Sequence, residues 1–110
     1  MDIQAHIHDQ VTAHPVVLFM KGTPQFPQCG FSSTAVQLLK KNGIDKFYSV
    51  NILMDADIRQ GAKEYAQWPT FPQLYVKGEF IGGCDIMREM DSTGELQTLL
   101  EPVRTAAISA

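Results

Sequence analysis

The stretch PVVLFMKGTPQFPQCGFSSTAVQLLKKNGIDKFYSVNI, residues 15–52, reads as strand, loop, helix, strand, and that order decides the fold. Residues 15–20 (PVVLFM) are a short apolar run behind a proline, the pattern of a buried strand. Residues 21–28 (KGTPQFPQ) hold one glycine and two prolines, so the chain loops there. From Cys29, the run CGFSSTAVQLLKKNG places Ala35, Val36, Leu38 and Leu39 at helical spacing. Lys40 and Lys41 fall in its last turn, and Gly43 is a stop signal. Residues 46–52 (KFYSVNI) are rich in β-formers and predict a second strand. A strand–helix–strand unit crosses over right-handedly and pairs its strands in parallel.

Upstream, Ile3, Ile7 and Val11 stand four apart, one stripe of a helix over residues 2–14, with Asp2 able to cap its start. Downstream, residues 55–68 (DADIRQGAKEYAQW) predict a helix with acids at its start, despite Gly61 inside it. PQLYV and EFIGG flank Lys77–Gly78 and predict a tight hairpin. From Asp85 onward, Ile86, Met90, Leu96, Leu99 and Leu100 predict one or two closing helices, broken near Ser92 to Gly94. The order α, β, α, β, α, β, β, α predicts an α/β three-layer sandwich, a four-stranded mixed sheet with helices on both faces.

At 110 residues the chain is expected to form a single domain over 1–110, with its core at about 14–100. No apolar run approaches the ~20 residues needed to span a bilayer, and the N-terminus carries no signal or transit pattern. The chain therefore reads as cytoplasmic, and a processed organelle form would look the same. A net charge of −3 without a basic run argues against nucleic acid as the partner. Two cysteines are too few for a disulfide scaffold or a structural zinc site.

They are enough for one reactive thiol. Cys29 lies where a loop meets a helix N-terminus, whose unpaired N–H groups and dipole favour thiolate over thiol. Lys21 sits across the same loop and adds positive charge, and Gly30 permits close approach to the sulfur. The bland reading is a small buried cysteine, which the polar, loop-like flanks disfavour. A C-x5-R phosphate loop fails because position 35 is Ala35, and no Gly-rich phosphate loop is present. His6, His8 and His14 make a poor metal face and read as solvated. Ser32 stands where a resolving cysteine would complete C-x-x-C. An oxidised Cys29 would then form a mixed disulfide with an outside thiol, or use Cys84 as a remote resolver if the two approach closely. A lone thiolate can also ligate metal. Because a 2Fe–2S cluster commonly takes four thiolates, two chains and two small thiols would complete the set.

KGTPQFPQCGFS, WPTFPQLYVKGEFIGGCD and the α/β order closely resemble the monothiol glutaredoxins of the CGFS type, from about His14 to Leu100. The resemblance implies a thioredoxin-like fold, glutathione binding and a 2Fe–2S cluster shared by a homodimer. Each chain would contribute Cys29 as catalytic thiol and metal ligand, and each bound glutathione its thiolate. Lys21 and Arg59 would pair with the glutathione glycine carboxylate, and Lys63, one turn on, is a weaker candidate. Pro72 would be a cis-proline, so that in the Thr70–Phe71–Pro72 segment Phe71 offers its backbone to the cysteinyl part. Gly83, Cys84 and Asp85 would meet the γ-glutamyl end. There a helix start suits the carboxylate and Asp85 the α-amino group; a bare N-cap is the plainer role for Asp85. Trp68 would flank the cleft or simply pack. The family further implies iron–sulfur cluster transfer to recipient proteins and a heterodimer with a BolA-like protein. A weak glutathione-dependent oxidoreductase acting through Cys29 is the alternative.

Overall fold

In the computed structural model, which describes residues 2–104, every residue of β1 (Val16–Met20) is buried. Residue 1 and residues 105–110, the ends of the expected domain, lie outside the described residues. A strand alternates its side chains between two faces. Val16, Leu18 and Met20 pack with Ala35, Val36 and Leu39 of α2 (Gly30–Lys41). Val17 and Phe19 pack on the other face with Ile7 and Val11 of α1 (Ile3–Ala13). Burial on both faces is why this strand is spelled as an unbroken apolar run.

β1 pairs in parallel with β2 (Tyr48–Asn51) and antiparallel with β3 (Gln73–Val76), which pairs with β4 (Glu79–Gly82) in the sheet order β2-β1-β3-β4. The helices α1 and α3 (Ala56–Ala66) cover one face. The other is covered by α2, α4 (Cys84–Thr93) and α5 (Glu95–Leu100). This is the expected three-layer α/β sandwich with a mixed sheet. Asp2 caps α1 by accepting from the Gln4 and Ala5 N–H groups, and Asp55 caps α3 in the same way. Lys77 and Gly78 both take positive φ, 53° and 81°, in the tight hairpin turn.

Two differences from the sequence reading have local causes. β2 stops at Asn51, whose Oδ1 accepts the N–H groups of Gly22 at 3.0 Å and Leu53 at 3.1 Å. The chain bends there into a 3₁₀ turn, Ile52–Met54. α3 ends at Ala66 because Gln67 is left-handed, and Trp68, as the residue before a proline, is poorly suited to a helix. The histidines expected to be solvated are not buried: His8 is exposed, with its Nδ1 3.0 Å from the Tyr65 hydroxyl, and His14 is half-buried, stacked on Tyr48 at 4.1 Å. Gly61 also has a reason to sit inside α3. A Cβ there would lie 2.9 Å from the Ile7 side chain, so the glycine lets α1 and α3 approach.

Two polar contacts brace α2 against α4. Lys41 at the end of α2 pairs with Asp91 of α4 at 2.7 Å, and Asn42 donates to the same carboxylate at 3.1 Å. They tie together the two helices whose N-termini carry the cysteines. Among the described residues, no helix is long and apolar enough to cross a membrane.

Candidate functional site

The loop between β1 and α2 folds back on itself. The Gln28 N–H donates to the Lys21 carbonyl at 2.9 Å, and Thr23 and Phe26 exchange backbone bonds inside it. Lys21 and Cys29, eight positions apart, are thereby brought together at the end of β1. Cys29 is the N-cap of α2, in extended conformation and half-buried. Ser32 is fully buried, and its Oγ accepts the Lys21 N–H at 3.1 Å.

That arrangement sets the chemistry of the sulfur. The Ser32 backbone N–H, pointing at it from the first turn of α2, does most to hold the Cys29 thiol below its ordinary pKa. Partial desolvation opposes this, while the Phe31 N–H, the Lys21 charge and the Ser32 hydroxyl add to it. Cys84, the first residue of α4, is buried, and burial pushes its thiol up. Arg88 works against that rise, and Asp85 and an ionised Cys29 reinforce it.

Every site residue expected from the sequence lines one open cleft of about 380 Å³, within the size range of small-molecule sites. Lys21 and Cys29 come from the β1–α2 junction, and Arg59 and Lys63 from one face of α3, a turn apart. Thr70, Phe71 and Pro72 form the wall leading into β3, and the Phe71–Pro72 bond is cis. Gly83, Cys84 and Asp85 join them from the start of α4. Three cations, a carboxylate and a helix N-terminus thus share one cleft.

The bare N-cap role for Asp85 is corrected. Gly83 is the cap, and Asp85 sits in the first turn with its exposed carboxylate 3.9 Å from Arg88. Gly83 sits in close quarters, since a Cβ there would stand 3.2 Å from Trp68 Nε1 and 3.3 Å from the Pro72 carbonyl oxygen, so a side chain would make both neighbours give by a few tenths of an ångström. Trp68 does both things expected of it, lining the cleft and packing against Phe80 at 5.6 Å. Phe31 and Ile86 also line the cleft, and neither is signalled by the sequence pattern. Phe31 is 55% exposed beside Cys29, and exposure of a large apolar side chain is not written in spacing. Spacing marks Ser32 only as a missing cysteine; its burial and its bond to Lys21 make it part of the site.

Among the described residues, no group of three or more His, Cys, Asp or Glu side chains could hold a metal ion. Cys29 is a single soft ligand, its thiol pKa lowered, at the rim of an open cleft. It suits iron–sulfur ligation only if further thiolates come from outside the chain.

Residues 16–81 match the glutaredoxin family. The chain is 56% identical over 97 residues to the mitochondrial monothiol glutaredoxin-5 of Lachancea kluyveri, covering 86% of this chain and 68% of that protein. To an uncharacterized, ycf64-like monothiol glutaredoxin of Synechocystis it is 55% identical over 100 residues, covering 91% and 92%. A solution structure of a reduced, apo poplar glutaredoxin superposes with a TM-score of 0.78 at 53% identity, covering 98% of this chain and 94% of that one. With a thioredoxin-like fold, a cysteine of lowered pKa at a helix start and relatives of this kind, the chain belongs to the glutaredoxin family, on its monothiol branch.

Proposed function

We propose that the cleft binds glutathione and that Cys29, with the bound glutathione thiol, holds a 2Fe–2S cluster shared between two chains as cargo for recipient proteins. One observation carries the reading. The Cys29 thiolate, the cations Lys21, Arg59 and Lys63, the Thr70–Pro72 wall and the α4 N-terminus with Asp85 all face one cleft. A glycine carboxylate fits the cations. An α-carboxylate fits the helix start, and an α-amino group fits Asp85. That pose leaves the ligand's thiol beside Cys29. Two such chains supply four thiolates, the full set for the cluster, and a BolA-like protein in place of the second chain would supply the remaining ligands in a heterodimer. Ser32 in place of a second cysteine keeps the Cys29 thiolate from closing on a neighbour. The reading holds equally for a cytoplasmic protein and for the processed form of an organelle protein.

A second reading is favoured by the lowered Cys29 pKa alone. As a glutathione-dependent oxidoreductase, the thiolate would attack the glutathionyl sulfur of a mixed disulfide and release the substrate thiolate. A second glutathione thiolate would then attack the glutathionyl sulfur of the Cys29 mixed disulfide, forming oxidised glutathione and releasing the Cys29 thiolate. Anaerobic reconstitution with iron, sulfide and glutathione separates the two. A coloured dimer supports the carrier, whereas a colourless monomer that rapidly turns over a glutathionylated peptide overturns it in favour of the enzyme.

A further inference from the structure

The cleft wall from Trp68 to Pro72 has no regular secondary structure, yet two of its carbonyls are engaged from behind. The agent is Gln73, the first residue of β3 and, with Ser32, one of two buried polar side chains among the described residues. Gln73 is fully buried, on the sheet face that carries Phe19 and Tyr75. Its Nε2 donates to the Trp68 carbonyl at 3.1 Å and to the Thr70 carbonyl at 3.2 Å. Its Oε1 accepts the Tyr75 hydroxyl at 3.2 Å, and Tyr75 is itself fully buried. The carboxamide uses both its hydrogens and its oxygen, which is the condition under which a buried polar group is stabilising rather than costly. A glutamine in a strand otherwise spelled Leu, Tyr, Val has no apolar purpose there.

We infer that Gln73, backed by Tyr75, is a positioning residue that sets the shape of the Trp68–Pro72 wall and so the affinity of the cleft for its ligand. This rests on the reading of the cleft as a glutathione site. Only an amide can donate to two carbonyls while accepting from a hydroxyl. Phe71, between the two clamped carbonyls and the strand, packs its side chain into the same core as Tyr75, so the wall is held both by packing and by hydrogen bonds.

The test is calorimetric binding of S-methylglutathione to the reduced full chain and to three variants, with thermal melts alongside. Gln73→Leu leaves two carbonyls without donors and is expected to weaken binding about tenfold, the equivalent of one to two net hydrogen bonds. Tyr75→Phe strands one buried acceptor and is expected to cost severalfold; it serves if Gln73→Leu does not fold. Gln73→Glu gives a readout that a purely structural role would not move. A protonated glutamic acid can still donate to one carbonyl, and an ionised one to neither. Its affinity relative to the unaltered chain is therefore expected to fall as pH rises between about 5 and 8, where a buried carboxyl titrates. Folded variants that bind within about twofold of the unaltered chain, at every pH, overturn the inference even if they melt lower. No binding by the unaltered chain overturns the glutathione reading itself, and this inference with it.

Discussion

Cys29 and Cys84 both stand at the start of a helix and both face one cleft, yet their thiols are pushed in opposite directions. Cys29 is the N-cap of α2, outside the helix proper, and the amides of Ser32 and Phe31 reach its half-exposed sulfur. Cys84 is one position further in, with Gly83 as the cap, and only 6% of it is exposed. Desolvation wins there. A helix N-terminus therefore does not ionise a thiol by itself. What decides is whether amide hydrogens point at the sulfur and whether water still reaches it.

The largest expected effect is on cluster retention. Cys29→Ser should abolish the visible absorption of protein reconstituted without oxygen, and Cys84→Ser should keep most of it. Equal loss in both variants would put the two cysteines on the same footing and end the contrast. Next come the cations. Lys21→Gln should weaken glutathione binding about tenfold, the lower range for a charge-assisted hydrogen bond at a solvent-open site. It should also raise the pH midpoint of Cys29 alkylation, because the Lys21 charge helps hold that thiol down. Arg59→Ala should cost affinity and leave the midpoint where it is. A shifted midpoint in Arg59→Ala, or an unshifted one in Lys21→Gln, would misplace the charge that acts on the sulfur.

Alkylation against pH in the unaltered chain tests the contrast directly. Cys29 should react with a midpoint below the ~8.5 of a free thiol, and Cys84 slowly and with a midpoint above it. The sign carries over to stability. A thiol lowered on folding stabilises the folded state fully above its unfolded pKa, and that contribution is lost as pH falls through the folded value. For Cys84 the raised value reverses this. Its contribution is complete below the unfolded pKa and disappears as pH climbs through the folded one.

How much of this was legible in the sequence depends on what residue spacing can encode. β1 and α2 were readable because burial on two faces writes an apolar run and burial on one face writes a 3.6-residue stripe. Cys29 at a loop–helix junction was readable for the same reason, and the cleft residues from the long family motifs. Ser32 and Gln73 were not. Each is a buried polar residue whose worth lies in partners that only the folded chain supplies, the Lys21 amide for one and two wall carbonyls for the other. Nor was the cap of α4, where Asp85 looked the better candidate by residue type. Gly83 takes the position, where Trp68 and Pro72 approach so closely that a side chain would have to push them back by a few tenths of an ångström.

The smallest effect sharpens the contrast most, because it separates the amide from the hydroxyl of one residue. Ser32→Ala removes the hydroxyl and keeps the N–H. The N–H is the largest single cause of the lowered Cys29 pKa and the hydroxyl the smallest. The alkylation midpoint should therefore rise in Ser32→Ala but stay well short of the free-thiol value. The variant also leaves the Lys21 N–H without its acceptor, at a cost of about 1 kcal/mol in denaturant unfolding. A midpoint that returns all the way to the free-thiol value would mean the hydroxyl, not the helix amide, keeps Cys29 ionised. The opposite behaviour of Cys84 would then come from lacking a serine neighbour rather than from its position in the helix.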